Sequence, residues 1–163
     1  MNVEQFVAEH GTWMLRLAYL LTGSQYAAED LCQDALVKVI TSQRRVFNAR
    51  HPKAYVRRII INCHLDQTRI QKLEAVPLNS ATVVVDDHSE RLTQQAHNWR
   101  HIAKLSRPIR TALVLRYYED LDDAEIASIQ GCSRSTVRSN VSRGLAQLRE
   151  SFTDQATEDE AHR

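Results

Sequence analysis

Residues Arg44 to Arg58 hold six basic side chains, Arg44, Arg45, Arg50, Lys53, Arg57 and Arg58, and no acid. Phe47, His51 and Tyr55 lie among them. Cations at this density can track a phosphate backbone, and interleaved rings can stack an unpaired base. The stretch Phe47-Asn48-Ala49-Arg50-His51 is a candidate cradle for a base turned out of the duplex. Tyr55 is open between two roles, a stacking ring and a core residue. A second basic stretch runs from Ser133 through Arg149, with four arginines and no acid. Arg134, Ser135, Arg138, Ser139, Ser142 and Arg143 would share one face of a helix there. Arginine forks suit guanine edges and phosphates, and small hydroxyls permit close approach to a groove.

Residues with catalytic or metal-binding chemistry do not gather in this way. The seven histidines are scattered. His97 and His101 are four apart on an expected helix, but no third ligand lies nearby, so a solvated pair is the simpler reading. Cys63 and His64 are adjacent and should point to different faces of a helix, with Cys63 in the core. There is no phosphate-cradling glycine loop and no nucleophile elbow. No enzyme, metal or cofactor is expected.

Helices must position the two basic faces. Phe6, Trp13, Leu17, Leu20 and Leu21 form one apolar stripe, which Thr22-Gly23-Ser24 interrupts. A second helix is expected from Gln25 to about Ile40, with Ala28, Leu31, Ala35, Leu36 and Val39 inward. Arg44 to His51 reads as a loop. Pro52 then suits the first turn of a third helix, because its missing N–H costs nothing there. That helix carries Tyr55, Val56, Ile59, Ile60, Cys63 and Leu65 and fades near Gln71. Ile59-Ile60-Ile61 could be a buried strand, but the polar residues at helical spacing around it favour helix.

Leu73 to Ser89 lacks helical period and contains Pro77, Asn79, Asp86 and Asp87, as a linker does. Val83-Val84-Val85 is a short apolar run of extended type. Helices should resume near Glu90 and run to about Ser106, then from Pro108 to about Tyr118. Asp122 can cap a short helix through Ile129, Gly131 can turn the chain, and Ser133 can cap a long helix to about Glu150. Val137, Val141, Leu145 and Leu148 would be its inner face. That order is a helix-turn-helix. The tail from Thr153 is acidic and expected to fray.

Bulk composition agrees with a helical reading. Hydrophobic residues make up 43% of the 163, and there are only four glycines and three prolines. Net charge is +1, so any nucleic-acid contact must come from local charge. In residues 1–40 the acids Glu4, Glu9, Glu29, Asp30 and Asp34 outnumber Arg16 and Lys38. An acidic half beside a basic half points to two partners, one of them a protein. The start of the chain lacks the features of a signal peptide, no apolar run is long enough to span a membrane, and the three cysteines are widely spaced. These features fit a reduced, cytoplasmic setting without membrane insertion.

Ala28-Glu29-Asp30-Leu31-Cys32-Gln33-Asp34-Ala35-Leu36-Val37-Lys38-Val39 resembles the polymerase-binding helix of domain 2 in bacterial sigma factors of the sigma-70 family, extracytoplasmic-function (ECF) group. Pro52 through Asn62 is similar to the family helix that melts and reads the minus-10 element. Leu113 through Leu148 is similar to domain 4, whose first part sits on the polymerase β flap and whose second part reads the minus-35 element. The resemblance implies an all-α chain of two small helical domains joined by a flexible linker: domain 2 over 1–72, linker 73–92, domain 4 over 93–152 and an acidic tail over 153–163. It implies that Asp30, Leu31, Gln33 and Asp34 contact the polymerase β′ coiled coil. Phe47, Asn48, Arg50, His51, Tyr55, Arg57, Arg58 and Asn62 would meet the minus-10 DNA. Arg134, Ser135, Arg138, Ser139, Ser142 and Arg143 would meet the minus-35 DNA. The implied partners are core RNA polymerase, promoter DNA and an anti-sigma factor of the kind common in the family. The chain is sparser in basic charge after Asn62 than members usually are, which implies that polymerase helps it to hold DNA. The alternative is a helix-turn-helix regulator that acts without polymerase.

Overall fold

Asn2 opens the first helix with a reciprocal cap. Its side chain accepts from the Gln5 backbone N–H at 2.8 Å, and the Gln5 side chain accepts from the Asn2 N–H at 3.1 Å. The computed structural model describes residues 1–73 and 100–161. Every described regular element is a helix. The chain divides into two compact units, Met1–Asp86 and Asp87–Arg163.

The first unit contains α1 (Val3–Thr22), α2 (Gln25–Thr41), α3 (Gln43–Asn48) and α4 (Pro52–Leu73). Gly23 takes φ 73°, a left-handed conformation that ends α1, and Ser24 then caps α2. Helix α1 packs on α2, and α2 packs on α4. Phe6, Leu17, Leu21, Leu31, Val39, Val46, Val56, Ile60 and Ile61 are fully buried between them. Ala18, Ala28 and Ala35 are buried as well, and side chains this small let helix axes approach closely. Met14 is buried where the apolar stripe pointed to Trp13, which is half-buried.

Two expectations for this unit change. The loop expected over Arg44 to His51 is largely helix α3, because Val46 is apolar and sinks completely into the core. Only Ala49 to His51 connects α3 to α4. His64 is buried beside Cys63 rather than on a different, outer face, since both side chains fall on the broad side of α4 that meets its neighbours.

In the second unit, residues 100–103 are helical and are followed by α5 (Arg107–Tyr117), α6 (Asp123–Gln130) and α7 (Arg134–Ala161). Asp120 makes the turn after α5 at φ 54°, a conformation that aspartate tolerates better than most residues. Leu121 then drops into the core. Asp122 and Glu125 form a second capping box, with bonds of 2.8 and 3.0 Å. Gly131 takes φ 66°, and Ser133 Oγ accepts from the Thr136 N–H at 3.1 Å to start α7. Leu105, Ile109 and Leu113 form a core cluster with Ile102, Val141, Leu145 and Leu148.

The expected fraying from Thr153 does not occur: α7 continues to Ala161. Phe152 lies against the His101 ring, with centroids 4.6 Å apart, and the Gln155 side chain meets His101 Nε2 at 2.8 Å. These contacts extend the helix past the last apolar residue of the main stripe. The expected linker, with Val83 to Val85, and the helix expected from Glu90 to Trp99 lie outside the described residues, as does His97.

Candidate nucleic-acid and partner-protein interfaces

The outer face of α2 carries Tyr26, Asp30, Gln33 and Val37 at four-, three- and four-residue steps, so they line one stripe. Tyr26 is 77% exposed and Val37 60%, and Ile40 beyond them is 51% exposed. Apolar side chains held in water between acids mark a protein-binding face better than a merely solvated one. Of the positions that the family resemblance implied, Asp30, Gln33 and Asp34 are exposed. The resemblance did not find Tyr26, Val37 and Ile40, although their helical spacing was readable. Leu31 requires a correction. Its exposure is 0%, so it cannot touch a partner; it anchors α2 in the core and thereby orients the acids.

Polar bonds tie this face to α4. Gln67 Nε2 donates to Asp34 Oδ2 at 2.8 Å, and Lys38 Nζ lies 3.4 Å from Asp66 Oδ2. Cys63, next to Lys38, has its thiol pKa pushed above its ordinary value, chiefly by burial. Cys32 is half-buried, and burial with the Glu29 carboxylate nearby raises its thiol to about 11. Neither position favours a reactive thiolate.

On α4, Tyr55, Arg58 and Asn62 follow at three- and four-residue steps and are all exposed, so they share one face. Tyr55 is 37% exposed and therefore not a core residue. Arg57 is half-buried and sits off this face. Arg50 and His51 are exposed in the short connection before α4, and Asn48 is exposed at the end of α3. Phe47 is half-buried, with its ring 5.9 Å from that of Phe6. Its ring belongs to an aromatic cluster with Phe6, His10 and Trp13. Lys53 adds a cation 4.7 Å above the Trp13 ring.

In the second unit α6, the Gly131 turn and α7 have helix-turn-helix anatomy. Val137 is fully buried and fixes the rotation of α7. That rotation leaves Arg134, Ser135, Arg138, Ser142 and Arg143 exposed, with Ser139 half-buried at the edge. Asp123 pairs with Arg116 of α5 and lies 3.8 Å from Arg138 Nη1. The first residue of α6 therefore steadies both the supporting helix and an arginine of the exposed face.

Comparison with known proteins agrees with both units. Residues 6–73 match the family model of Sigma-70 region 2, and residues 99–148 that of Sigma-70, region 4. The RNA polymerase sigma-E factor of Streptomyces avermitilis is 33% identical over 151 residues, spanning 92% of this chain and 84% of that protein. The RNA polymerase sigma factor SigV of Bacillus subtilis is 26% identical over 147 residues, spanning 90% of this chain and 89% of its own. Among solved structures, the sigma factor RpoE of Bartonella quintana, determined in complex with the anti-sigma factor NepR, has the same fold with a TM-score of 0.70. It shares 24% identity, with 92% of this chain and 96% of that one covered. The chain belongs to the sigma-70 family of RNA polymerase sigma factors, in its extracytoplasmic-function group.

Proposed function

We propose that the outer face of α2 docks on core RNA polymerase while α4 and α7 read the two promoter elements. As an ECF sigma factor the chain directs promoter-specific transcription initiation and is not an enzyme. The observation that carries the assignment of faces is the exposed stripe Tyr26-Asp30-Gln33-Val37 in the same unit as the basic, aromatic end of α4. One unit thus offers a face for a protein and a face for nucleic acid.

In this reading Asp30, Gln33 and Asp34, with Tyr26 and Val37, meet the β′ coiled coil. Asn48, Arg50, His51, Tyr55, Arg58 and Asn62 meet the minus-10 strand, with Phe47 and Arg57 supporting them from behind. Arg134, Ser135, Arg138, Ser139, Ser142 and Arg143 meet the minus-35 duplex. The corresponding division is a polymerase and minus-10 domain over 1–72, a linker over 73–92 and a minus-35 domain over 93–152. The matches to region 2 and region 4 support it. Each unit alone makes few phosphate contacts, so salt would loosen it readily. Polymerase, by holding both units, lets the two weak readings reinforce each other.

Work with polymerase calls for a cytoplasmic setting in this reading. No described helix is long and apolar enough to cross a membrane. An anti-sigma factor, such as the NepR bound to RpoE, would inhibit by covering the α2 stripe.

Run-off transcription and pull-down with core polymerase test the assignment together. Asp30→Arg should weaken assembly. Arg138→Ala should reduce minus-35 discrimination while assembly persists. Normal assembly of Asp30→Arg, or loss of assembly in Arg138→Ala, would contradict the faces assigned.

A further inference from the structure

Three acids stand close together at the start of α6: Asp122 at the cap, then Asp123 and Glu125 in the first turn. Acids suit a helix N-terminus. Two of them are occupied locally, since Asp122 and Glu125 close the capping box on each other's backbone N–H. The capping box does not use Asp123. Its carboxylate lies instead between guanidiniums from two other helices. Oδ1 pairs with Arg116 Nη2 of α5, and Oδ2 stands 3.8 Å from Arg138 Nη1 of α7.

The two arginines sit in different surroundings. Arg116 is half-buried and directly follows the buried residues Leu113, Val114 and Leu115, so it anchors the carboxylate from the protein side. The Arg138 side chain is 64% exposed on the face that α7 offers outward, and the Asp123 side chain between them is 23% exposed. A carboxylate held at one oxygen has its plane set. Its second oxygen then presents a fixed negative point to Arg138.

Arginine carries five N–H donors in a rigid planar fork. With Nη1 drawn toward Asp123, the plane of the Arg138 guanidinium is set and the rest of the fork faces outward. Guanine offers two acceptors in the major groove, O6 and N7, that match such a fork, whereas adenine offers one acceptor and one donor. An arginine without this restraint has a second choice: it can swing to the nearest phosphate, a contact that carries no sequence information. The Asp123 charge opposes that swing. An exposed pair at this distance contributes little in water. The attraction strengthens when a groove displaces the water around it.

We propose that Asp123 is a positioning residue for promoter recognition: it holds the Arg138 guanidinium toward a base edge, so that Arg138 selects guanine at one position of the minus-35 element instead of docking on a phosphate. The proposal rests on the minus-35 assignment of α7 and adds a residue of α6, outside the exposed arginine face.

The test uses holoenzyme and promoter fragments that run-off transcription identifies, randomised over the upstream element, with the bound fraction sequenced. The variants are Asp123→Asn, which removes the charge at nearly constant shape, Asp123→Ser as a second neutral variant, Asp123→Glu, Arg138→Ala and the double variant of Asp123→Asn with Arg138→Ala. The base pair that Arg138 reads is the one whose profile Arg138→Ala changes. Asp123→Asn should lower the guanine preference at that same base pair by about tenfold and leave the other positions as they were. Its affinity should also become more salt-dependent, by about one in the slope, because Arg138 now meets a phosphate. Asp123→Glu, which keeps the charge, should recover part of the preference. With Arg138 already Ala, Asp123→Asn should change the profile no further.

A merely structural Asp123 gives another pattern: a lower melting temperature of the free protein and weaker binding to all sequences alike, with the preference at the Arg138 position kept. That pattern in the neutral variants would overturn the proposal, and so would an equal loss of preference with Arg138 absent. If Arg138→Ala changes no position, the minus-35 assignment of this arginine falls and the proposal with it. If Arg138→Ala changes one position and the neutral Asp123 variants do not, the proposal alone falls, so the two failures are distinguishable.

Discussion

The side-chain amide of Gln67 on α4 donates to the carboxylate of Asp34 on α2 at 2.8 Å, across 33 residues of sequence. The bond holds one oxygen of an exposed acid and leaves the other for a partner. Replacing Gln67 by Leu should free Asp34 to rotate and weaken binding to core polymerase roughly two- to fivefold, the cost of ordering one more side chain on association. The effect should vanish when Asp34 is already Ala, which a double-mutant cycle in a polymerase titration measures. Additive losses would show that Gln67 acts elsewhere.

Gly144 and Gly11 should respond to alanine with opposite signs. A Cβ at Gly144 would lie 2.6 Å from Leu113 Cδ1 and 2.8 Å from Ile109 Cγ2, deep in the contact between α5 and α7. At Gly11 the nearest atom is Val7 Cγ1 at 3.5 Å, an ordinary contact. Gly144→Ala should destabilise the second unit by about 1–2 kcal/mol, overpacking outweighing better helix propensity. Gly11→Ala should stabilise the first unit by about 0.5–1 kcal/mol. Denaturant midpoints of the two variants check both signs.

Truncation after Glu150 removes Phe152 and Gln155 from His101. A frayed tail would be lost without consequence. The ring contact and hydrogen bond should instead make the truncated protein less stable by about 1 kcal/mol, measured as a lower melting temperature of the second unit.

Cys32 should make stability depend on alkaline pH. The folded state holds the thiol proton up to about 11, whereas an ordinary thiol gives it up near 9.0. Between these values the folded chain binds more protons than the unfolded one, so stability is present below pH 9 and declines as pH rises toward 11. Cys32→Ser should flatten the fall in denaturant midpoint between pH 8 and 10.5. Native Cys32 should also alkylate at least about tenfold more slowly than a free thiol at pH 8. Reaction at the free-thiol rate would contradict the burial of this side chain.

Much of this protein could be read from local patterns. Helix starts and stops rest on short-range chemistry: Asp122 with Glu125, Ser133 with Thr136, and the left-handed Gly23 and Gly131 act within a few residues. The basic faces follow from helical period, and so do the exposed arginines of α7. Membership in the family came from motifs in the same order and spacing.

Tertiary packing decided the rest, because burial depends on what lies across the core. Leu31 and Asp30 are neighbours in the polymerase-like motif, yet one is sealed and the other exposed. Val46 pulled a basic stretch into helix α3, and His101 drew the acidic tail into α7. The burial of Arg110, a cation near the start of α5, has no signature in sequence at all. It depends on which side chains close over the guanidinium, a fact that only three dimensions contain.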